Sequence, residues 1–316
     1  MTPAQFLLFT RTHARIAALR PEMIAALYKA YTIIADSFSE SEITDIIQSG
    51  NLDRLVTEAL TDAVFARAFI PIRERMRETM RAGFRYATPS LPGAGKIDGT
   101  LAVAFDHLSP NVVTAIQKLD TAVLTNLKTE TRAVVRAAVE EGIKLGQGPR
   151  TTARSLRSVI GLGPTQMKEV ENFRDALLGQ NGRSVADYTL RDKRVDRMLA
   201  KGPLTPQQVE RYTEAYRKRR IALNAETTAR TATLDAFKAG QRLSWQNAID
   251  SGIVDGGNLM HQWIGVMDLR ERPEHIAMEK ETVPFDQPYS NGELVPGSDT
   301  YNCRCLDRFF VERSVA

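Results

Sequence analysis

The two cysteines of this 316-residue chain stand one residue apart, as Asn302-Cys303-Arg304-Cys305. Upstream runs Asp268-Leu-Arg270-Glu-Arg272-Pro273-Glu-His275, with His275 28 residues before Cys303. Thiolate sulfur, imidazole nitrogen and carboxylate oxygen are the donors that tetrahedral Zn²⁺ takes. Asp268, His275, Cys303 and Cys305 are therefore the candidate metal ligands, with His261 as an alternative to Asp268. Residues two apart point the same way on a strand, and in a loop both sulfurs can face one ion. Cys-x-Cys is not the Cys-x₂-Cys spacing of zinc knuckles. The plain alternative is a pair of buried thiols packed as small hydrophobes, with His275 capping a hydrogen-bond network. A disulfide between Cys303 and Cys305 would close a tight ring.

The same residues admit two chemistries. Cys305, His275 and Asp268 can be written as nucleophile, base and orienting group, and a metal-bound water can act as the nucleophile of a nuclease. Neither accounts for Arg270, Arg272 and Arg304 in the same motifs. Guanidinium groups there bind phosphate or bridge Asp268, Asp307 and loop carbonyls. Ion pairs are the commoner use, and no catalytic residue is expected. His13 and His107 receive no role.

The elements that must position these groups change character along the chain. Residues 241–316 hold both tryptophans, Trp245 and Trp263, and are punctuated by glycine and proline. They are expected to form a small α+β unit with strands over 261–267 and 307–311 and a helical turn at 273–278. A unit of this size has little core, so a metal staple would help it fold. Residues 1–87 are expected to be helical: Phe65, Phe69, Ile72, Met76, Met80 and Phe84 share one helical face. Pro71 is expected to kink or start this helix. Residues 88–100 hold two prolines and three glycines and are expected to be a linker. Residues 101–240 read as a helical middle domain. Within it a long helix follows Ser109-Pro110, two short helices flank Gly161-Leu-Gly-Pro164, and a helix from Leu204-Thr205-Pro206, unbroken or in two pieces joined near Arg220, ends at Gly240. The fold class expected is mainly α, with long amphipathic helices followed by a compact glycine- and proline-rich α+β unit.

Hydrophobic content of 43% and charged content of 25% place the chain among ordinary globular proteins. No apolar run reaches the length of a membrane span, and the first residues lack the pattern of a secretory signal. The net charge of +4 is unevenly distributed. Residues 183–220 contain eleven Lys/Arg against five Asp/Glu, whereas 246–316 contain six against twelve. A basic block of this kind meets nucleic acid or an acidic protein surface, or is simply a solvated helix face. Its candidate contact residues are Arg191, Lys193, Arg194, Arg197, Arg217, Lys218, Arg219 and Arg220.

One ordered set of motifs runs through the chain. It comprises Gly161-Leu-Gly-Pro-Thr-Gln166, Asn172-Phe-Arg174, Arg191-Asp192, Tyr212, Glu226-Thr-Thr-Ala-Arg230-Thr, Gly240-Gln241, Trp245, Trp263, Asp268-Leu-Arg270-Glu-Arg272-Pro-Glu-His275, Pro296-Gly297 and Asn302-Cys303-Arg304-Cys305. In this order, over residues 130–310, the set resembles the Mu F-like minor head (head-morphogenesis) proteins of tailed bacteriophages. Glu271 stands where that family often carries threonine. The resemblance implies a structural virion protein, present in a few copies per head, that associates with portal, capsid or scaffold protein and with packaged DNA. It implies a role in head assembly and DNA delivery, without turnover, assembled in the host cytoplasm. Trp245, Trp263, Arg270, Arg272, Asn302 and Arg304 would then be structural. The alternative is a nucleic-acid-binding protein or a metal-dependent nuclease.

Overall fold

Prolines open most of the helices, and glycines decide how closely those helices approach. The computed structural model describes residues 3–298 and 300–312. Helices α1 (Pro3–Ala35) and α2 (Glu40–Ser49), a π-turn (Leu55–Ala59) and α3 (Asp62–Ala87) come first. A short hairpin of β1 (Lys96–Ile97) and β2 (Thr100–Leu101) precedes α4 (Pro110–Lys144), α5 (Pro149–Leu156), α6 (Pro164–Leu177), α7 (Arg194–Leu199) and α8 (Pro206–Asp250). Strand β3 (Leu259–Ile264), α9 (Pro273–Ala277), β4 (Thr282–Pro284) and β5 (Leu306–Val311) complete the order. The protein is mainly α, with its main sheet in a small α+β region near the C-terminus. No helix among the described residues is long and apolar enough to cross a membrane.

Helices α4, α5, α6, α8 and α9 each begin on proline, whose fixed φ suits the first helical position and whose missing N–H has no partner to lose there. Pro21 and Pro71 lie inside α1 and α3 instead. Helix α2 has a reciprocal capping box, in which Ser39 N–H donates to Glu42 and Glu42 N–H donates to the Ser39 hydroxyl, and it ends on left-handed Gly50.

The chain divides into two compact units, each built from separate stretches. One takes Ala26–Ile72 and Ala122–Thr227. In it α2 packs on α5, and the rings of Phe173 and Tyr216 stack at 4.3 Å. Gly161 takes φ 94 beneath the Tyr31 ring, where a Cβ would meet the ring carbons at 2.8 Å. Its carbonyl accepts from the Asn224 amide at 2.8 Å, and Gly163 N–H donates to the Gln166 side chain at 2.7 Å. The Gly161–Gln166 motif thus forms a tight turn and the cap of α6.

The other unit takes Met1–Ala25, Arg73–Thr121 and Thr228–Ala316. Its three-stranded antiparallel sheet has the order β4-β3-β5, with His261 opposite Val283 on one side and Phe309 on the other. Met80, Phe84, Leu91, Val103, Val112, Leu243, Trp245, Leu259 and Phe285 share one buried cluster. Residues 88–100, expected as a linker, fold into two 3₁₀ turns and the β1–β2 hairpin, with Leu91 in that cluster. A proline- and glycine-rich composition specifies turns, and here two apolar anchors, Leu91 and Val103, pin the turns to the core.

Gly240 does not end α8. The helix passes through it to Asp250, because Gly240 lies against the backbone of Met80 and Phe84 in α3, and Gly83 of α3 lies in turn against the Phe237 carbonyl. A Cβ at either glycine would overlap a main-chain carbonyl, so the helices meet backbone to backbone. Main chain of a packed helix cannot retreat as a flexible side chain does. Gly240→Ala is therefore expected to destabilise the protein by about 3 kcal/mol, seen as a lower urea midpoint at unchanged slope. An unchanged midpoint would mean that α3 and α8 separate freely.

Candidate metal centre

The site grows from one end of the sheet pair β3–β5, where the last residue of β3 lies opposite the first of β5. The chain leaving β3 turns through residues 265–272 into α9, and this carries His275 inward. The chain entering β5 brings Cys303 and Cys305. All three are buried, at 2%, 4% and 0% exposure, and their ligand atoms lie within 4.8 Å of one another. His275 Nδ1 is 3.6 Å from Cys303 Sγ and 3.5 Å from Cys305 Sγ. The three sequence-expected donors therefore converge, on the same nitrogen of one imidazole.

The thiols also interact with each other. Cys303 Sγ accepts the Cys305 backbone N–H at 3.3 Å. Hydrogen bonding from Cys305 favours the Cys303 thiolate and lowers its pKa, while the same contact, burial and the nearby Glu271 carboxylate raise that of Cys305.

Asp268 is not in the group. Both of its oxygens are taken by the Arg304 guanidinium, at 2.6 and 2.7 Å, and its side chain is 36% exposed. This bidentate pair, helped by Arg270, holds the Asp268 carboxyl well below the usual carboxylate range. The pair instead ties the loop before α9 to the Cys-Arg-Cys segment. His261 is excluded as well. It lies in the sheet, with Nδ1 3.1 Å from Asp307 and Nε2 3.0 Å from the Gln287 carbonyl, while Tyr289 donates to the same Asp307 oxygen at 2.6 Å. A residue that the sequence did not place among the donors is present: Glu271, whose side chain is 4% exposed and whose Oε1 accepts from the Cys305 thiol at 3.1 Å. Glu271 lies in the turn before the extended N-cap Arg272 of α9, so its closeness to His275 follows from the turn and not from a helical face.

Helix α8 braces the cysteine loop. Thr231 Oγ1 accepts the Asn302 N–H at 3.1 Å, Thr228 Oγ1 accepts from Tyr301 at 2.9 Å, and buried Lys238 donates to the Pro296 carbonyl at 2.6 Å. This accounts for a threonine-rich stretch in mid-helix, where propensity alone disfavours it. Asn302 takes φ 65, a left-handed conformation that asparagine tolerates. Gly297 packs so tightly on Cys303 that a Cβ would overlap the sulfur. Arg272 donates to the Tyr301 carbonyl at 3.0 Å. Trp263 is fully buried, edge-on to His275 at 5.2 Å, and Trp245 sits in the neighbouring apolar cluster beside Phe309.

Comparison with protein-family models, with curated proteins and with solved structures returns no match.

The basic stretch lies in the other unit, where six of its eight candidate contact residues are in ion pairs. Arg191 pairs with Asp196, Arg194 and Arg219 with Asp192, Arg217 and Lys218 with Glu214, and Arg220 with Glu169. Lys193 and Arg197 are exposed.

His13, left without a role from sequence, contacts the cysteine loop: its Nε2 lies 3.0 Å from the Arg304 carbonyl. Burial, with Lys238, Arg304 and Arg20 nearby, lowers its pKa from 6.5 to about 4. The folded state therefore binds fewer protons than the unfolded chain between those values, and stability present above pH 6.5 is lost as the pH falls towards 4. His13→Gln keeps an N–H donor and does not titrate. Its stability is expected to fall less steeply than that of the parent between pH 6.5 and 4, by on the order of 1 kcal/mol, in parallel urea titrations. Parallel curves would refute the assignment.

Proposed function

We propose that this protein is a structural component of a tailed-bacteriophage head that acts in head assembly, and that its C-terminal region is closed by a structural zinc ion held by His275, Cys303 and Cys305. The observation that carries this reading is the use to which the ordered motif residues are put. Gly161 and Gln166 form a turn and a cap, Gly240 permits a helix crossing, and Trp245 and Trp263 fill cores. Thr228 and Thr231 brace a loop, and Asp268 and Arg304 clamp it. Residues so employed build a scaffold, which is what an assembly protein of this resemblance requires.

Zinc fits the donor set. Two thiolates and an imidazole suit a borderline-soft, tetrahedral ion. The alternative of a nucleic-acid-acting protein has less support, since most of the cations that would meet phosphate already meet carboxylates.

Two experiments test the reading. Co-expressed with the portal and capsid proteins of its own phage, the chain is expected to sediment with assembled heads. Consistent exclusion from particles that form normally would remove the assembly role. The full chain is expected to contain one zinc per molecule by elemental analysis, and the Cys303→Ser/Cys305→Ser variant none, with a melting temperature several degrees lower. A melting profile indifferent to both chelator and the double substitution would remove the zinc.

A further inference from the structure

We infer that Glu271 is the fourth ligand of this centre, making it a closed Cys₂-His-Glu site with no position left for water or substrate. The inference rests on the zinc reading above and deepens it.

Glu271 stands beside the His275–Cys303–Cys305 group, and the separations that tie it to that group are close to what one tetrahedral ion demands. With metal–sulfur bonds of about 2.3 Å and metal–nitrogen or –oxygen bonds of about 2.0–2.2 Å, neighbouring donors must lie roughly 3.3–3.8 Å apart. The separations are 3.6 Å from Cys303 Sγ to His275 Nδ1 and 3.5 Å from Cys305 Sγ to the same nitrogen. Glu271 Oε1 lies 3.7 Å from His275 Nδ1 and 3.1 Å from Cys305 Sγ, the second a thiol–carboxylate hydrogen bond that metal binding would lengthen slightly. The carboxylate is aimed as a ligand is: its other oxygen accepts the Val266 N–H at 2.8 Å, which fixes the plane of the group and leaves Oε1 turned to the sulfurs. Cys303 is oriented in the same way by the Cys305 N–H.

Charge supports the same conclusion. A carboxylate buried beside two thiols and an imidazole is a concentration of metal-donor groups that a divalent ion can join, with Lys238 and Arg304 the cations near it. The neighbouring guanidiniums are engaged elsewhere, Arg304 and Arg270 by Asp268 and Arg272 by the Tyr301 carbonyl. A divalent ion at the centre of the four donors satisfies all of them. Structural zinc sites use four protein ligands, whereas catalytic ones keep a position open, so closure by Glu271 assigns the ion to holding the loop at residues 296–305 against the turn at 265–275.

The test uses the full-length chain, with zinc and cobalt(II) as probes. Zinc affinity is measured by competition with a chromophoric chelator for the parent, Glu271→Ala and Glu271→Gln; the glutamine variant keeps an acceptor for the Val266 N–H if the alanine variant folds poorly. Expected are one tightly held zinc in the parent, an affinity at least about 100-fold weaker in both variants, beyond what loss of an outer-shell partner costs, and an intense tetrahedral cobalt spectrum in the parent that added azide leaves unchanged. In Glu271→Ala the vacated position should admit azide and shift the spectrum. Variants that bind zinc within twofold of the parent, or a parent spectrum that azide alters, would overturn Glu271 as ligand and leave the three-ligand zinc site standing. A parent that takes up no zinc at all would overturn the zinc reading itself.

Discussion

The close crossing of α3 and α8 is the constraint on which the C-terminal half of this protein depends. Two glycines, Gly83 and Gly240, let main chain meet main chain. That approach sets the face of α8 from which Leu234 and Phe237 pack on Ile264 of β3 and Leu306 at the start of β5. The same stretch of α8 presents Thr228, Thr231 and Lys238 to the loop that carries the cysteines. The donor cluster is therefore held from behind by a helix whose own position is fixed by the absence of two side chains. Widening the crossing by one methyl would move the brace of the cysteine loop as well as the core.

Much of the architecture was legible in the sequence because it rests on local signals. Prolines at helix starts and the apolar periodicity of 65–84 mark helices, and the 259–264 and 306–311 strands and the turn at 273–277 fall close to where alternation and Pro273 place them. The failures have physical causes. Glycine after a helical run signals a stop, but Gly240 serves a close approach, and only the partner helix reveals which meaning applies. Residues 88–100 carry turn chemistry, and their attachment depends on where Leu91 finds a core.

At the site the distinction between Asp268 and Glu271 turned on tertiary pairing. Arg304, 36 residues from Asp268, claims it, and nothing local announces that. Glu271 stands ahead of α9, in the turn at 265–272, and its burial against Cys305 depends on how that turn folds, which no local pattern announces. In the basic stretch, Asp192, Asp196 and Glu214 sit in sequence among the arginines and lysines with which they pair.

The contact of His13 with the Arg304 carbonyl joins points 291 residues apart. Ile16, one turn further along the same helix, packs with Ile264 and Leu306. During synthesis α1 emerges with an apolar face whose partners include β3 and β5, made long after it. Contacts of such long sequence separation form late, and surface waiting for them is where chains misassociate. Helix α1 thus keeps that face uncovered until β3 and β5 have been made, and its docking reports that both are in place.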